Sequence, residues 1–125
     1  MYRTFTFLLF CLALLTACTS TSTNWNQYLG PDRNAKISGS EILRSWSDKG
    51  PKELWSFPLG EGYGGAAIFG DEVFVLDRIK GESDVMRCVD LNTGEELWNY
   101  SYPAEGEIPF PGSRTVPTVD EKHIW

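Results

Sequence analysis

Glycine and proline punctuate the whole chain after residue 29 and limit the length of any regular element. All 12 glycines and all 7 prolines of the 125 residues lie at or after Gly30, and no stretch longer than 12 residues in that region lacks one. Because both residues favour turns and interrupt helices, this spacing excludes a helical bundle. It predicts an all-β fold of short strands joined by tight turns.

Before that region, the N-terminal residues carry a pattern typical of an export signal. Arg3 is the only charged side chain before Asp32, and residues 5–15 contain a single polar side chain. This apolar run is shorter than the roughly 20 residues that a membrane-spanning helix needs. The pattern therefore favours a cleaved signal peptide.

The apolar run ends in Leu-Thr-Ala-Cys at residues 15–18. These residues resemble the lipobox of bacterial lipoproteins, in which the cysteine is lipidated and becomes the mature N-terminus. The resemblance implies a signal peptide at 1–17, a lipid on Cys18 and a tether at 18–24 between membrane and domain. Thr19 stands where an Asp would retain a lipoprotein at the inner membrane, which favours the outer membrane. The alternative is an ordinary signal peptide with an incidental cysteine.

Charge and cysteine content argue against two classes of protein. The chain has 17 acidic and 11 basic side chains, whereas a nucleic-acid partner would require a basic surface. One histidine and three scattered cysteines form neither a zinc cluster nor a disulfide framework. Cys88, in an apolar stretch, is typical of a small core residue.

Two segments of the chain occur twice in the same order. Residues 53–57 (ELWSF) return as residues 96–100 (ELWNY) after 43 positions, and residues 66–75 return as residues 116–125 after 50 positions. A connection at 102–113 that contains three prolines accounts for the longer interval. Periods of about 40 to 50 residues made of short strands are typical of propeller blades.

Within one repeat, four strands are predicted, at residues 66–69, 72–76, 84–89 and 96–102. Gly-Asp at 70–71 is the two-residue signal of a hairpin between the first two. The second strand is apolar without alternation, which predicts that both of its faces are covered. In the fourth strand every second residue from Trp98 is aromatic, which predicts one packed and one solvated face.

The turn between the third and fourth strands carries the most specific motif, DLNTGEELW at residues 90–98. Asp90 is suited to accept N–H groups of the turn, and Gly94 to take a left-handed conformation. Trp98 offers a large flat surface for packing. The motif resembles the repeat of the pyrroloquinoline-quinone-type β-propellers (quinoprotein dehydrogenase-like), in which an Asp, a Thr-Gly pair and a Trp recur from blade to blade.

This resemblance implies a partial β-propeller over residues 53–125, with four-stranded antiparallel blades. A lone strand at 53–57 would be followed by one complete blade at 66–102 and by the first strands of the next blade at 115–125. Residues 25–33 resemble the entry segment of a bacterial branch of the family, so residues 25–52 are expected to form the N-terminal segment that leads into the first strand.

The resemblance also implies roles for individual residues. Five of them would dock one blade against the next: Trp55, Asp90, Thr93, Gly94 and Trp98. Arg114 would lie just before an innermost strand, near the central channel, and is a candidate for binding an anionic ligand. The alternative for Arg114 is a salt bridge to a neighbouring blade.

The function implied is that of a lipid-anchored, non-enzymatic scaffold that binds other proteins in the cell envelope. Since a propeller closes with about four to eight blades, the chain is expected to be an N-terminal fragment. The alternative is an oxidoreductase that uses pyrroloquinoline quinone with Ca²⁺, bound by residues of blades beyond this sequence. No catalytic, cofactor-binding or metal-binding residue beyond the candidate Arg114 is identified in the sequence.

One further pattern, at residues 60–65, matches the letters of the dinucleotide fingerprint G-x-G-x-x-G. That fingerprint requires a strand before it and a helix after it, so that the helix N-terminus meets the pyrophosphate. Here a hairpin is predicted to follow. The pattern is interpreted as a loop that leads into the first strand of the blade.

Overall fold

Tight turns fold the middle of the chain into an antiparallel meander. A computed structural model, which describes residues 24–37, 43–79, 81–105, 109–110 and 112–125, contains four strands: β1 (Ala67–Phe69), β2 (Glu72–Ile79), β3 (Ser83–Asp90) and β4 (Glu96–Pro103). They form one open sheet in the order β1-β2-β3-β4, with neighbours antiparallel. No helix is found in the described residues, and so none that could cross a bilayer. The prediction of an all-β fold is confirmed.

Glycines with positive φ make two of the turns. Gly70 (φ 62°) lies between β1 and β2, and Gly81 (φ 74°) lies between β2 and β3. A Cβ disfavours this left-handed conformation, which is why glycine suits both positions. Nothing lies within 4 Å of the place that a Cβ would take at either glycine, so conformation alone explains them.

β2 runs three residues further than its apolar pattern predicts. The predicted strand ended at residue 76, whereas β2 continues through Asp77 and Arg78. Both side chains are buried and paired: Asp77 with Arg87 at 2.8 Å, and Arg78 with Asp84 at 3.0 Å. Because pairing offsets the cost of burying a charge, the strand accommodates two charged residues that the apolar pattern excluded.

One face of the sheet packs against the C-terminal hairpin, residues 118–125. Ala67 and Cys88 are fully buried on this face, with Phe74 and Val119 completing the core cluster. Two backbone hydrogen bonds of 2.9 Å close the ends of the hairpin. Burial, aided by the charge of nearby Glu72, raises the pKa of the Cys88 thiol to about 11, which leaves it a poor nucleophile.

Residues 55–60 cover the opposite face. Gly60 donates its N–H to Asp77 at 2.7 Å, and the Phe57 ring lies 5.9 Å from the guanidinium carbon of Arg87. Asp77 and Arg87 alternate with the core residues of their strands, so they lie on the face away from the core cluster. The apolar run of β2 is therefore covered on both faces, as predicted.

Residues 53–57, predicted as a lone strand, pair with no strand in the part of the chain that the structure describes. They lie over a face of the sheet, so side chains make their contacts. Trp25 provides the backbone pairing at the β1 edge, where it exchanges two 2.9 Å hydrogen bonds with Ile68. Asn26 then links this N-terminal segment to the hairpin: its carbonyl accepts the Val119 N–H at 2.8 Å, and its side chain donates to the Val119 carbonyl at 2.9 Å.

β4 is more exposed than its pattern predicts. All eight of its residues are exposed, and Trp98, Tyr100 and Tyr102 on the predicted packed face keep 39, 65 and 38% of their surface. The C-terminal hairpin covers β2 and β3 but leaves a groove of about 510 Å³ between Trp125 and these rings. The prediction of one packed face in β4 is wrong for the described residues, because the hairpin stops short of it.

Candidate functional site

The turn between β3 and β4 is built around the Asp90 carboxylate. Its Oδ1 accepts hydrogen bonds from the backbone N–H groups of Thr93 (2.7 Å) and Asn92 (2.9 Å) and from the Thr93 hydroxyl (3.0 Å). These bonds, led by that of the Thr93 N–H, lower the pKa of Asp90. Gly94 donates its N–H to the Asp90 carbonyl at 2.9 Å. The result is an Asx turn whose carboxylate is held in its ionised form.

Trp55 packs onto this turn. Its Nε1 donates to the Leu91 carbonyl at 2.8 Å, and its ring lies against Gly94. Gly94 has a φ of 75°, and a Cβ there would lie 2.7 Å from the Trp55 ring. Glycine is therefore required at this position for two independent reasons, the backbone conformation and the closeness of the ring.

Trp98 lies in a different environment from Trp55. Its ring centre is 6.1 Å from that of Phe74, and it lines the groove beside Trp125. Of the five residues that the family resemblance assigns to docking, the structure brings four together: Trp55, Asp90, Thr93 and Gly94. Trp98 lies apart from them.

A second Asx turn closes the C-terminal hairpin. The carboxylate of Asp120 accepts the N–H groups of Lys122 and His123 at 2.7 and 2.8 Å. These bonds, led by that of the Lys122 N–H, lower the pKa of Asp120. The His123 ring lies 5.2 Å from that of Trp125, at the surface of the hairpin.

The two turn carboxylates predict a loss of stability in acid. A carboxyl with a lowered pKa in the folded state contributes stability that is complete above its unfolded pKa and is lost as the pH falls through the folded value. Asp90 and Asp120 both show this direction. We expect the urea midpoint to fall as the pH decreases below about 4, and to fall less in Asp90→Asn.

The control for this prediction is Asp48→Asn, which removes an exposed carboxyl outside both turns. It should keep the full pH dependence of the unsubstituted chain. Superimposable profiles for Asp90→Asn and the unsubstituted chain would show that the Asp90 turn makes no contribution.

Close backbone packing explains the glycine-rich loop at residues 60–65. The Ser113 carbonyl accepts the N–H groups of Tyr63 and Gly64 at 2.6 and 3.0 Å. A Cβ at Gly64 would overlap the carbonyl of Thr115. β1 follows the loop in place of a helix, so the loop lacks the helix N-terminus that the dinucleotide fingerprint requires.

This loop forms one wall of a cavity of about 630 Å³ near the start of β1, here named the Arg114 cavity. Three segments of the chain line it, from the N-terminal part, the glycine-rich loop and the stretch before the C-terminal hairpin: Trp25, Tyr28, Leu29, Tyr63, Gly64, Gly65, Ala66, Arg114, Thr115 and Val116. Three of these side chains are aromatic, and Arg114 is the one that carries a charge.

Arg114 is exposed and lies against Phe110. Its guanidinium carbon is 5.7 Å from the centre of the Phe110 ring, and Nη2 donates to the Phe110 carbonyl at 3.1 Å. Within the described residues it forms no salt bridge. Its assignment as an anion-binding residue remains a prediction, now with a cavity beside it.

The sequence reasoning missed the aromatic lining of this cavity. Trp25, Tyr28 and Tyr63 come from two segments that are far apart in the sequence, and no local pattern connects them. Cys18, the predicted lipidation site, lies outside the described residues. In the described ranges no three His, Cys, Asp or Glu side chains are grouped so that they could hold a metal ion.

Comparison with known protein families, with curated proteins and with solved structures finds no match for this chain.

Proposed function

We propose that this chain belongs to a lipid-anchored β-propeller of the cell envelope that serves as a scaffold for other proteins. The support for a propeller is the packing on both faces of the inner strands of a four-stranded sheet. On one face Trp55 lies on the Asx turn at Gly94, and on the other the hairpin at 118–125 lies on the core cluster. A blade in a propeller needs such coverage, because its neighbours sandwich its inner strands.

The Arg114 cavity is the observation that carries the binding role. Trp, Tyr and Arg are the residues that most often dominate the energy of protein interfaces. Here Trp25, Tyr28 and Tyr63 share one cavity with Arg114, and the two tyrosines are each 66% exposed. Aromatic groups left open to water beside a cation are suited to bury a partner's side chain.

A photo-reactive amino acid in place of Tyr63 tests the scaffold role in intact cells. We expect covalent adducts with a discrete protein from position 63, and fewer adducts when Arg114→Gln is added. The same amino acid at Leu43, which is 70% exposed and outside the cavity, serves as the control. Adducts that are absent at 63, or equal at 63 and 43, would contradict a binding role for this cavity.

The lipid anchor rests on the lipobox at residues 15–18. We expect the chain to incorporate radioactive palmitate when it is produced in bacteria and to fractionate with the envelope. Cys18→Ala should abolish the label, whereas Cys11→Ala should leave it unchanged, because residue 11 lies within the predicted signal peptide. Label that survives Cys18→Ala would rule out this anchor.

A quinone-dependent oxidoreductase is the second candidate function. The observation in its favour is again the Arg114 cavity, because an arginine beside aromatic faces suits a planar polycarboxylate. Ca²⁺ requires about six to eight oxygen ligands, and the described residues bring no such group together. The residues described here therefore fit the quinone's carboxylates better than its cation. Dye-linked alcohol oxidation by a complete propeller that contains this chain, after addition of pyrroloquinoline quinone and Ca²⁺, would favour the enzyme, and its absence there the scaffold.

A further inference from the structure

We infer that the Arg114 cavity selects a peptide segment in which a carboxylate stands next to an aromatic or large apolar side chain. If the chain binds proteins as proposed above, this pairing is the feature by which a partner would be recognised. Four properties of the cavity point to that chemistry: its charge, its free donors, its aromatic walls and its size.

The charge of the lining favours an anion. Arg114 is the single Asp, Glu, Lys or Arg among the lining residues, in a chain whose formal net charge is −6. A carboxylate on the ligand would therefore meet a cation inside the cavity and find no acidic side chain among its walls. A basic segment would be repelled by Arg114 and would find no acidic side chain among the lining residues.

Most N–H donors of the Arg114 guanidinium form no hydrogen bond within the described residues. One of its five N–H donors bonds to the Phe110 carbonyl, and that is its only hydrogen bond within the described residues. The Phe110 ring lies against the guanidinium, a planar cation that can stack on an aromatic face. The planar fork of the guanidinium matches the two oxygens of a carboxylate, whereas a neutral amide offers one acceptor oxygen and no charge.

The aromatic walls are positioned by the backbone. Trp25 is held by its two hydrogen bonds with Ile68, and its ring lies so close to Gly30 that a Cβ there would be 2.8 Å away. The backbone of Tyr63 is held by its N–H bond to the Ser113 carbonyl, and its side chain is exposed. The main chain that carries these two walls is therefore ordered before a ligand binds, which lowers the entropy cost of binding.

The cavity volume limits the ligand to a small group. About 630 Å³ lies within the range of small-molecule sites, roughly 300–1,000 Å³. This is room for one large side chain together with the carboxylate next to it. The recognised element is then one large side chain with its neighbouring carboxylate, presented by an exposed segment of the partner.

N-Acetylphenylalanine and its uncharged amide separate the contribution of the carboxylate from that of the aromatic side chain. They differ in the carboxylate alone, and both can be titrated into the isotopically labelled chain and followed by NMR. We expect the acid to bind with a Kd of about 1 mM and to shift the amide signals of residues 63–66 and 114–116. The amide of N-acetylphenylalanine should bind at least about tenfold more weakly than the acid.

Arg114→Gln should weaken binding of the acid about tenfold and binding of the amide clearly less, because the amide carries no charge that would lose its partner. Arg114→Lys, which keeps the charge but loses the fork, should lie between Gln and the unsubstituted chain. Arg44→Gln makes the same charge change at an exposed position outside the cavity and should have no effect. Equal affinities for acid and amide, or equal losses from Arg114→Gln and Arg44→Gln, would overturn the inference.

These outcomes are distinguishable from failure of the scaffold proposal. If the photo-reactive group at 63 captures a protein but the acid and amide bind equally, the binding role stands and the carboxylate preference falls. If the acid binds through Arg114 but no protein is captured, the cavity is a small-molecule site and the scaffold proposal falls.

Discussion

Replacing Gly94 by alanine is expected to lower the free energy of unfolding by about 3 kcal/mol. At a φ of 75°, alanine adopts a left-handed conformation that costs about 1–2 kcal/mol. Its Cβ would also lie 2.7 Å from the Trp55 ring, and overpacking of this kind costs about 1–3 kcal/mol. Urea unfolding followed by circular dichroism measures the sum.

Gly81→Ala is a matched control that separates the two costs. Its φ of 74° is nearly that of Gly94, but nothing lies within 4 Å of the place that its Cβ would take. We expect a loss of about 1 kcal/mol, from the conformation alone. Equal losses at the two glycines would show that the Trp55 ring does not restrict position 94.

A double-mutant cycle then isolates the contact itself. In a Trp55→Ala background, Gly94→Ala should cost no more than Gly81→Ala does, because the ring that its Cβ meets is gone. The coupling energy between positions 55 and 94 should be about 2 kcal/mol. A coupling near zero would contradict the packing of Trp55 on the turn, and with it the main support for blade-to-blade docking.

Local chemistry made the Asx turn predictable from sequence. An Asp followed by Thr-Gly supplies an acceptor, a hydroxyl and a left-handed residue within five positions, and the hydrogen bonds of Asp90 use all of them. The four-strand meander followed from the alternation of apolar runs and turn signals for the same reason. Both features depend on residues that are neighbours in the chain.

Features that join distant parts of the chain could not be predicted in the same way. The family resemblance implies that Trp55 is a docking residue, but not that it packs on Gly94. The apolar pattern ends β2 at residue 76, because Asp77 and Arg78 are charged. Only their salt bridges, which join β2 to β3, explain why they are buried in a strand. The Arg114 cavity is formed by three segments that backbone hydrogen bonds bring together, and these hydrogen bonds cannot be predicted from the spacing of residues in the sequence.

Asp77→Ala is expected to lower the free energy of unfolding by about 3–5 kcal/mol. The carboxylate is 3% exposed and accepts from Gly60 N–H at 2.7 Å, Arg78 N–H at 2.8 Å and Arg87 Nε at 2.8 Å. Alanine would leave two N–H groups without this acceptor and Arg87 without its buried counter-ion. Urea unfolding at neutral pH measures the loss.

Glu96→Gln provides the comparison for Asp77→Ala at the same arginine. Glu96 also pairs with Arg87, at 3.2 Å, but its side chain is 27% exposed, compared with 3% for Asp77. More exposed pairs of this kind contribute about 0–1 kcal/mol, so Glu96→Gln should have a small effect. Similar losses from the two substitutions would show that burial does not set the strength of these pairs.

Asp77 also connects the sheet to the Arg114 cavity. Its bond to Gly60 fixes the start of the glycine-rich loop, and the same loop carries Tyr63 to the cavity wall. Asp77→Ala should therefore speed amide hydrogen exchange at residues 60–64 and weaken binding of N-acetylphenylalanine, although Asp77 does not line the cavity. Glu96→Gln should change neither, because Glu96 has no bond to the loop within the described residues. A cavity that keeps its affinity in Asp77→Ala would mean that the backbone hydrogen bonds of the loop, from Glu61 to the Arg78 carbonyl and from Tyr63 to the Ser113 carbonyl, are enough to hold Tyr63 in place.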